Sequence, residues 1–153
     1  METIERILAE DPLFKGMEGR HLQLLAESAA NVRFDAGQYI FREGEASNHF
    51  YLIRHGKVAL ELHAAGRGVL TIQTLEAGEL LGWSWLVSPY KKQFGARAVE
   101  LTRAIAFDAN SVRAGCEQNH EFGYELLKRF TQVIGGRLQA TRLQLLDVYG
   151  IHP

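Results

Sequence analysis

Between about Val32 and Phe107 the chain breaks into short apolar or alternating runs punctuated by glycine, and this pattern constrains the fold more than any other feature. The runs are residues 39–41, 50–53, 58–62 and 69–72, with Gly37, Gly44, Gly56, Gly66, Gly68, Gly78 and Gly82 between or beside them. Strands separated by turn residues at such close, regular spacing indicate an all-β barrel or roll. Glycine admits positive φ without steric cost, so each one is a candidate corner.

Helical patterns flank the roll. From Met17 to Ala30, Leu22, Leu24, Leu25 and Ala29 fall among charges, which predicts a helix with one buried stripe. Ile4 to Leu8 predicts a helical turn ahead of Pro12. Beyond the roll, Asn110 or Ser111 is expected to cap a short helix ending near Gly115, and a long helix follows from about His120 to Val148. A chain of 153 residues suits one core, so a single domain over 1–153 is expected. It divides into N-terminal helices (1–30), a roll (31–108) and C-terminal helices (109–150).

Within the long helix, Ile134, Leu138, Thr141, Leu145 and Val148 alternate steps of four and three, the spacing of a coiled-coil seam. Either this row pairs with a second copy, or the helix folds back on its own roll. Gly135 and Gly136 sit in its interior, where each costs about 1 kcal/mol relative to Ala. A kink there, or the close approach of another backbone, is the expected compensation.

Several function classes are excluded. A net charge of -1 gives no whole-chain basic field for nucleic acid or anionic membrane. Cys116 is the only cysteine, the N-terminus lacks the basic stretch and apolar run of a secretory signal, and no segment is apolar enough to span a bilayer. A cytoplasmic protein is expected. The histidines (His21, His49, His55, His63, His120 and His152) show no zinc-ligand spacing with one another or with Cys116, so no metal is expected. No phosphate-binding loop, nucleophile elbow or zinc-protease helix occurs, and no acid pair stands out. The chain therefore reads as non-enzymatic and without a cofactor.

Three stretches carry a family resemblance. Residues 34–58, with Gly37, Gly44 and Gly56 at turns, resemble the opening of the β-roll of cyclic-nucleotide-binding domains. Residues 76–83 resemble the lead-in to that family's phosphate-binding cassette, and 96–108 the strand pair that closes the roll. The final helix, through 137–141, resembles the dimer helix of the catabolite activator protein group. The resemblance implies a mainly β fold, a double-stranded β-helix (jelly-roll-like) roll with N-terminal helices and a long C-terminal helix. It implies a sensor that binds a small ligand without transforming it, and a homodimer through the last helix. Haem-binding relatives would need an axial histidine, for which His63 on a strand is the candidate.

The resemblance also locates a ligand site: Gly82, Trp83, Ser84, Trp85, Lys92, Gln93 and Thr141. Residues 82–86 look like an anion-binding turn, with Gly82 letting backbone approach and Ser84 supplying a hydroxyl. Two departures stand out. Trp83 replaces the family's ribose-binding Glu, and Lys91, Lys92 and Gln93 stand where an Arg followed by a small residue pairs with the cyclic phosphate. Lys supplies charge without the bidentate fork of Arg. Loss of the carboxylate removes a hydrogen bond worth about 1.5–3 kcal/mol, roughly one to two decades of affinity. The effector is therefore expected to differ from cAMP or cGMP.

Trp83, Trp85, Tyr90 and Phe94 beside Lys91, Lys92 and Arg97 suggest an aromatic lip for a planar or apolar acid; the other reading is that the tryptophans fill the roll. Arg97, between Ala96 and Ala98, is expected to point outward, and Arg142 to lie on a solvated helix face. Two alternatives stay open. One is the sensor part of a transcription regulator whose helix-turn-helix domain is absent from a chain ending at Pro153. The other is a degenerate roll serving as an interaction module.

Overall fold

The computed structural model describes residues 3–150; Met1, Glu2, Ile151, His152 and Pro153 lie outside the described residues, and with them the expectation that His152 ligates no metal. Two short helices, α1 (Ile4–Glu10) and α2 (Gly19–Glu27), precede eight strands. These are β1 (Ala29–Phe34), β2 (Tyr39–Phe41), β3 (His49–His55), β4 (Lys57–Ala64), β5 (Gly68–Glu76), β6 (Leu80–Leu81), β7 (Gly95–Ala98) and β8 (Thr102–Asp108). A 3-10 turn, Ser84–Leu86, lies between β6 and β7, and α3 (Ala109–Gln118) and α4 (His120–Val148) close the chain. The strands form two antiparallel four-stranded sheets, β1-β8-β3-β6 and β2-β7-β4-β5.

Side-chain alternation divides the interior into two cores. Tyr51, Ile53, Leu81, Ala104 and Ala106 of the first sheet meet Phe41, Val58, Leu60, Leu75 and Ala96 of the second inside the roll. Their neighbours Phe50, Leu52, Leu80, Ile105 and Phe107 point the other way, into a core shared with the helices. Strands β3 and β8 are thus buried on both faces, which is why they read as nearly continuous apolar runs rather than alternating ones.

The structure corrects several boundaries. Helix α2 spans only Gly19–Glu27; Ala29 and Ala30 instead pair with Phe107 and Ala106, because the ladder to β8 claims their backbone groups. Asp108, not Asn110 or Ser111, caps α3, its carboxylate accepting from the Ser111 N–H at 3.0 Å. The helix runs past Gly115 to Gln118, and the glycine lets α4 come close: a Cβ there would lie 3.4 Å from Phe122 Cε2.

Helix α4 begins and ends where the periodicity places it. Phe122, Leu126 and Phe130 anchor its first half in the helix-side core. Its second half is fastened to the roll by Arg137, whose Nη2 donates to the Leu80 carbonyl, and by Gln144 Nε2, which donates to the Ile72 carbonyl at 3.2 Å. The predicted seam stays uncovered, with Leu138, Leu145 and Val148 exposed at 50%, 54% and 80%. The helix is unbroken through Gly135 and Gly136, and no atom outside the helix's own backbone lies within 4 Å of a Cβ built on either.

Candidate functional site: a buried lysine behind the cassette

After β6 the chain turns at Gly82, whose φ of +92° favours glycine. A Cβ there would also come within 3.0 Å of Lys92 Nζ. Trp83 precedes the 3-10 turn, a cis Ser88–Pro89 bond follows, and Tyr90 adopts a φ of 57°. The returning segment is stapled to the β2–β3 loop: the Ser47 N–H donates to the Tyr90 carbonyl (2.7 Å), Lys92 N–H to Glu45 (2.8 Å) and Gly44 N–H to Lys92 (2.8 Å). Lys91 pairs with Ala46 in an isolated bridge. This stapling drives the Lys92 side chain inward.

Lys92 is the unusual group. Its side chain lies in the protein with the residue only 4% exposed, donating to the His49 carbonyl at 2.8 Å and standing 4.2 Å from the Phe41 ring centroid. Among the described residues no carboxylate forms an ion pair with it, although the charge of Glu45 favours its protonated state. Burial pulls its pKa from 10.5 down to about 8. An ammonium has three protons to donate, and one hydrogen bond leaves it poorly compensated for lost water.

The other expected site residues are dispersed. Trp85 is not on a lip. It is 1% exposed in the helix-side core, stacked on Phe50 at 4.9 Å and edge-on to Phe130 of α4 at 5.3 Å. Trp83, half-buried, packs against the same core, so neither tryptophan joins the cluster inside the roll. Tyr90 lies under the Arg113 guanidinium at 4.3 Å, while Phe94 packs toward Phe41 at 6.0 Å. The aromatic lip does not form, because cassette and helices share these rings. Ser84 is buried, whereas Gln93 is exposed and donates only to the Lys91 carbonyl at 3.3 Å. Thr141 is exposed on α4, its hydroxyl donating to the Arg137 carbonyl at 2.9 Å.

Arg97 points away from the roll interior, as its neighbours suggested, and pairs with Glu61 at 3.0 Å; the Tyr39 hydroxyl donates to the same carboxylate at 2.9 Å. Sequence reasoning missed two polar atoms. Ser47 Oγ, on the loop stapled to the cassette, is buried without a hydrogen-bond partner. Arg137 Nη1 is likewise buried and unpartnered, and desolvation lowers the guanidinium pKa. Arg137 also borders a cleft of about 310 Å³ with Leu13, Gln73, Glu79 and Gln132.

These features coincide with a known family. A cyclic nucleotide-binding domain model matches residues 31–119, more than half of the chain, and the chain belongs to that family. A CRP-like cAMP-activated global transcriptional regulator of Mycobacterium tuberculosis is 25% identical over 145 residues, 95% of this chain and 63% of that protein. A cAMP-dependent protein kinase regulatory subunit of Schizosaccharomyces pombe is 26% identical over 140 residues, 82% of this chain and 33% of that one. The chain thus spans less than two thirds of these relatives. Among solved structures, a putative cyclic nucleotide-binding protein from Geobacter metallireducens superposes with a TM-score of 0.80 at 24% identity, covering 90% of this chain and 99% of that one. The Thermus thermophilus catabolite activator protein gives 0.71 at 25% identity, covering 91% and 63%. The β-roll with flanking helices is therefore the architecture expected from the sequence, and the relatives are regulatory and sensor proteins. Among the described residues no helix is long and apolar enough to cross a membrane.

Proposed function

We propose that the chain is a non-enzymatic, cytoplasmic sensor domain whose roll takes a small anionic ligand against Lys92. The observation that carries this reading is the buried ammonium with a single hydrogen bond and no ion pair among the described residues. A bound anion would supply the missing countercharge, beside the segment that resembles the family's phosphate-binding cassette. Gly82, where a Cβ would lie 3.0 Å from Lys92 Nζ, shapes that wall, and Ser84, Gln93 and Thr141 remain candidate contacts. The effector differs from cAMP and cGMP on this reading, because Trp83 brings no carboxylate and packs toward the helices. Pairing through α4 with a second copy is part of the same proposal, supported by the uncovered Leu138, Leu145 and Val148.

Calorimetric titration of cAMP, cGMP and a panel of small organic acids into the wild type and Lys92→Met tests it. An anionic ligand should bind saturably and lose about 30-fold or more in the variant, the cost of removing one partner of a buried charge pair. Micromolar cAMP binding would overturn the choice of effector, and binding indifferent to Lys92 would overturn the site. The alternative of a regulator's sensor part draws support from the match along 63% of the M. tuberculosis regulator.

A further inference from the structure

His21 occupies the start of α2 with its ring fully buried, and neither ring nitrogen has a hydrogen-bond partner. Its ring packs on Phe122 at 5.5 Å. A buried imidazole without partners is unusual, since such groups nearly always find one. The carboxylates of Glu18 and Glu121 lie beside it, and one ligand atom from each of the three residues falls within 4.8 Å of the others.

Two elements create this grouping. Glu18 immediately precedes α2 and its carbonyl accepts from the His21 N–H at 2.9 Å, which gathers both residues at the helix start. Glu121 stands in the first turn of α4, whose start is fixed by the Asn119 side chain accepting from the Phe122 N–H at 3.1 Å. Arg20 bridges the acids, Nε to Glu18 at 2.7 Å and Nη2 to Glu121 at 2.8 Å, so the two exposed carboxylates converge despite their like charge. The histidine spacings in the sequence suggested no metal; the third ligand here comes from a residue 100 positions further along the chain than His21.

We propose that Glu18, His21 and Glu121 form a zinc site that ties the start of α2 to the start of α4. One imidazole nitrogen and two carboxylate oxygens suit Zn²⁺, whereas Mg²⁺ and Ca²⁺ favour all-oxygen sets. Tetrahedral zinc sets ligand atoms about 3.4 Å apart. The closure from 4.8 Å falls to the two exposed glutamates, while packing holds His21 still. Arg20 must swing into solvent as the metal enters, and water completes the coordination.

The test is competition for Zn²⁺ between a chromogenic chelator and the metal-stripped full chain. The wild type should take up one equivalent. The exposed double variant Glu18→Gln/Glu121→Gln should weaken binding by more than the about 10–100-fold that losing an outer hydrogen-bond partner costs. Arg20→Ala should tighten it by several-fold to about tenfold by removing the competing cation. Circular dichroism confirms that each variant is folded, and Co²⁺ should give intense tetrahedral absorption in the wild type and Arg20→Ala but not in the glutamine double variant. Absence of saturable uptake overturns the site, as does uptake unchanged in the glutamine variant, which would place zinc on other histidines.

Discussion

Replacing Lys92 with Met should stabilise the ligand-free protein while removing the rise in stability that this lysine gives at alkaline pH. The reasoning starts from the fall of the Lys92 pKa from 10.5 to about 8 on burial. At about 1.36 kcal/mol per pH unit, holding the ammonium in the fold costs roughly 3 kcal/mol. Below pH 8 the folded and unfolded chains both carry the proton, so the whole cost is present. Between pH 8 and 10.5 the folded chain gives the proton up first and the unfolded chain still binds it, so stability rises with pH. Above 10.5 the gain is complete.

Methionine keeps most of the stem's volume and removes the charge, at the loss of the hydrogen bond to the His49 carbonyl, worth about 1 kcal/mol. Lys92→Met should therefore be more stable than the wild type by about 2 kcal/mol at pH 7. That advantage should vanish between about pH 9 and 10 and reverse by pH 10.5, where only the lost hydrogen bond remains and the wild type is the more stable by about 1 kcal/mol. Urea unfolding of both proteins at half-unit steps from pH 7 to 10.5 measures it, and the difference between them cancels titration of every other group. A difference that stays flat with pH, or a variant less stable at pH 7, would refute the account of Lys92 as an uncompensated buried charge.

Three further outcomes are expected. Trp85→Ala should lose about 3–5 kcal/mol in chemical denaturation, since it empties the space between Phe50 and Phe130; a loss near zero would mean the ring is not packed as described. Gly56→Ala should cost more than about 2 kcal/mol, because its φ is +101° and a Cβ would meet the Leu101 carbonyl oxygen at 2.5 Å. Gly37→Ala, with φ +86° and open space, should cost only about 1–2 kcal/mol, and equal melting-temperature losses would contradict the distinction. Gly135→Ala and Gly136→Ala should each stabilise by about 1 kcal/mol in the free chain; loss of dimer in light scattering of the double variant would instead place a partner backbone against them.

The fold was legible because glycine spacing and period are local signals: Gly37, Gly44, Gly56, Gly66, Gly68, Gly78 and Gly82 all adopt positive φ, and α4 spans the helix read from His120 to Val148. The site was less legible because its composition is local but its orientation is not. Trp83, Trp85 and Lys92 are near neighbours in sequence, yet the tryptophans face the helices and the lysine is driven inward by backbone bonds to Gly44 and Glu45. Nothing in residues 82–93 announces that loop. The cap of α3 was misplaced by two or three residues for a similar reason, since Asp108 serves both as the last residue of β8 and as the helix cap.

The placement of Trp85 also bears on how a signal could leave the roll. A ring bound only to the cassette would report occupancy to nothing beyond it. This one lies between Phe50 of β3 and Phe130 of α4, and its carbonyl accepts from Arg113 Nη1 of α3 at 2.6 Å. On the other side of the 3-10 turn, the Leu80 carbonyl holds Arg137 of α4. The cassette thus grips the long helix at two points, about two helical turns apart, with Lys92 behind it. On the proposed reading, an anion that draws Lys92 toward itself would act on the segment between those grips. Such a ligand can shift α4 only by as much as its affinity differs between the two positions of that helix. The roughly 3 kcal/mol held in the uncompensated lysine sets the scale of what neutralising it can contribute.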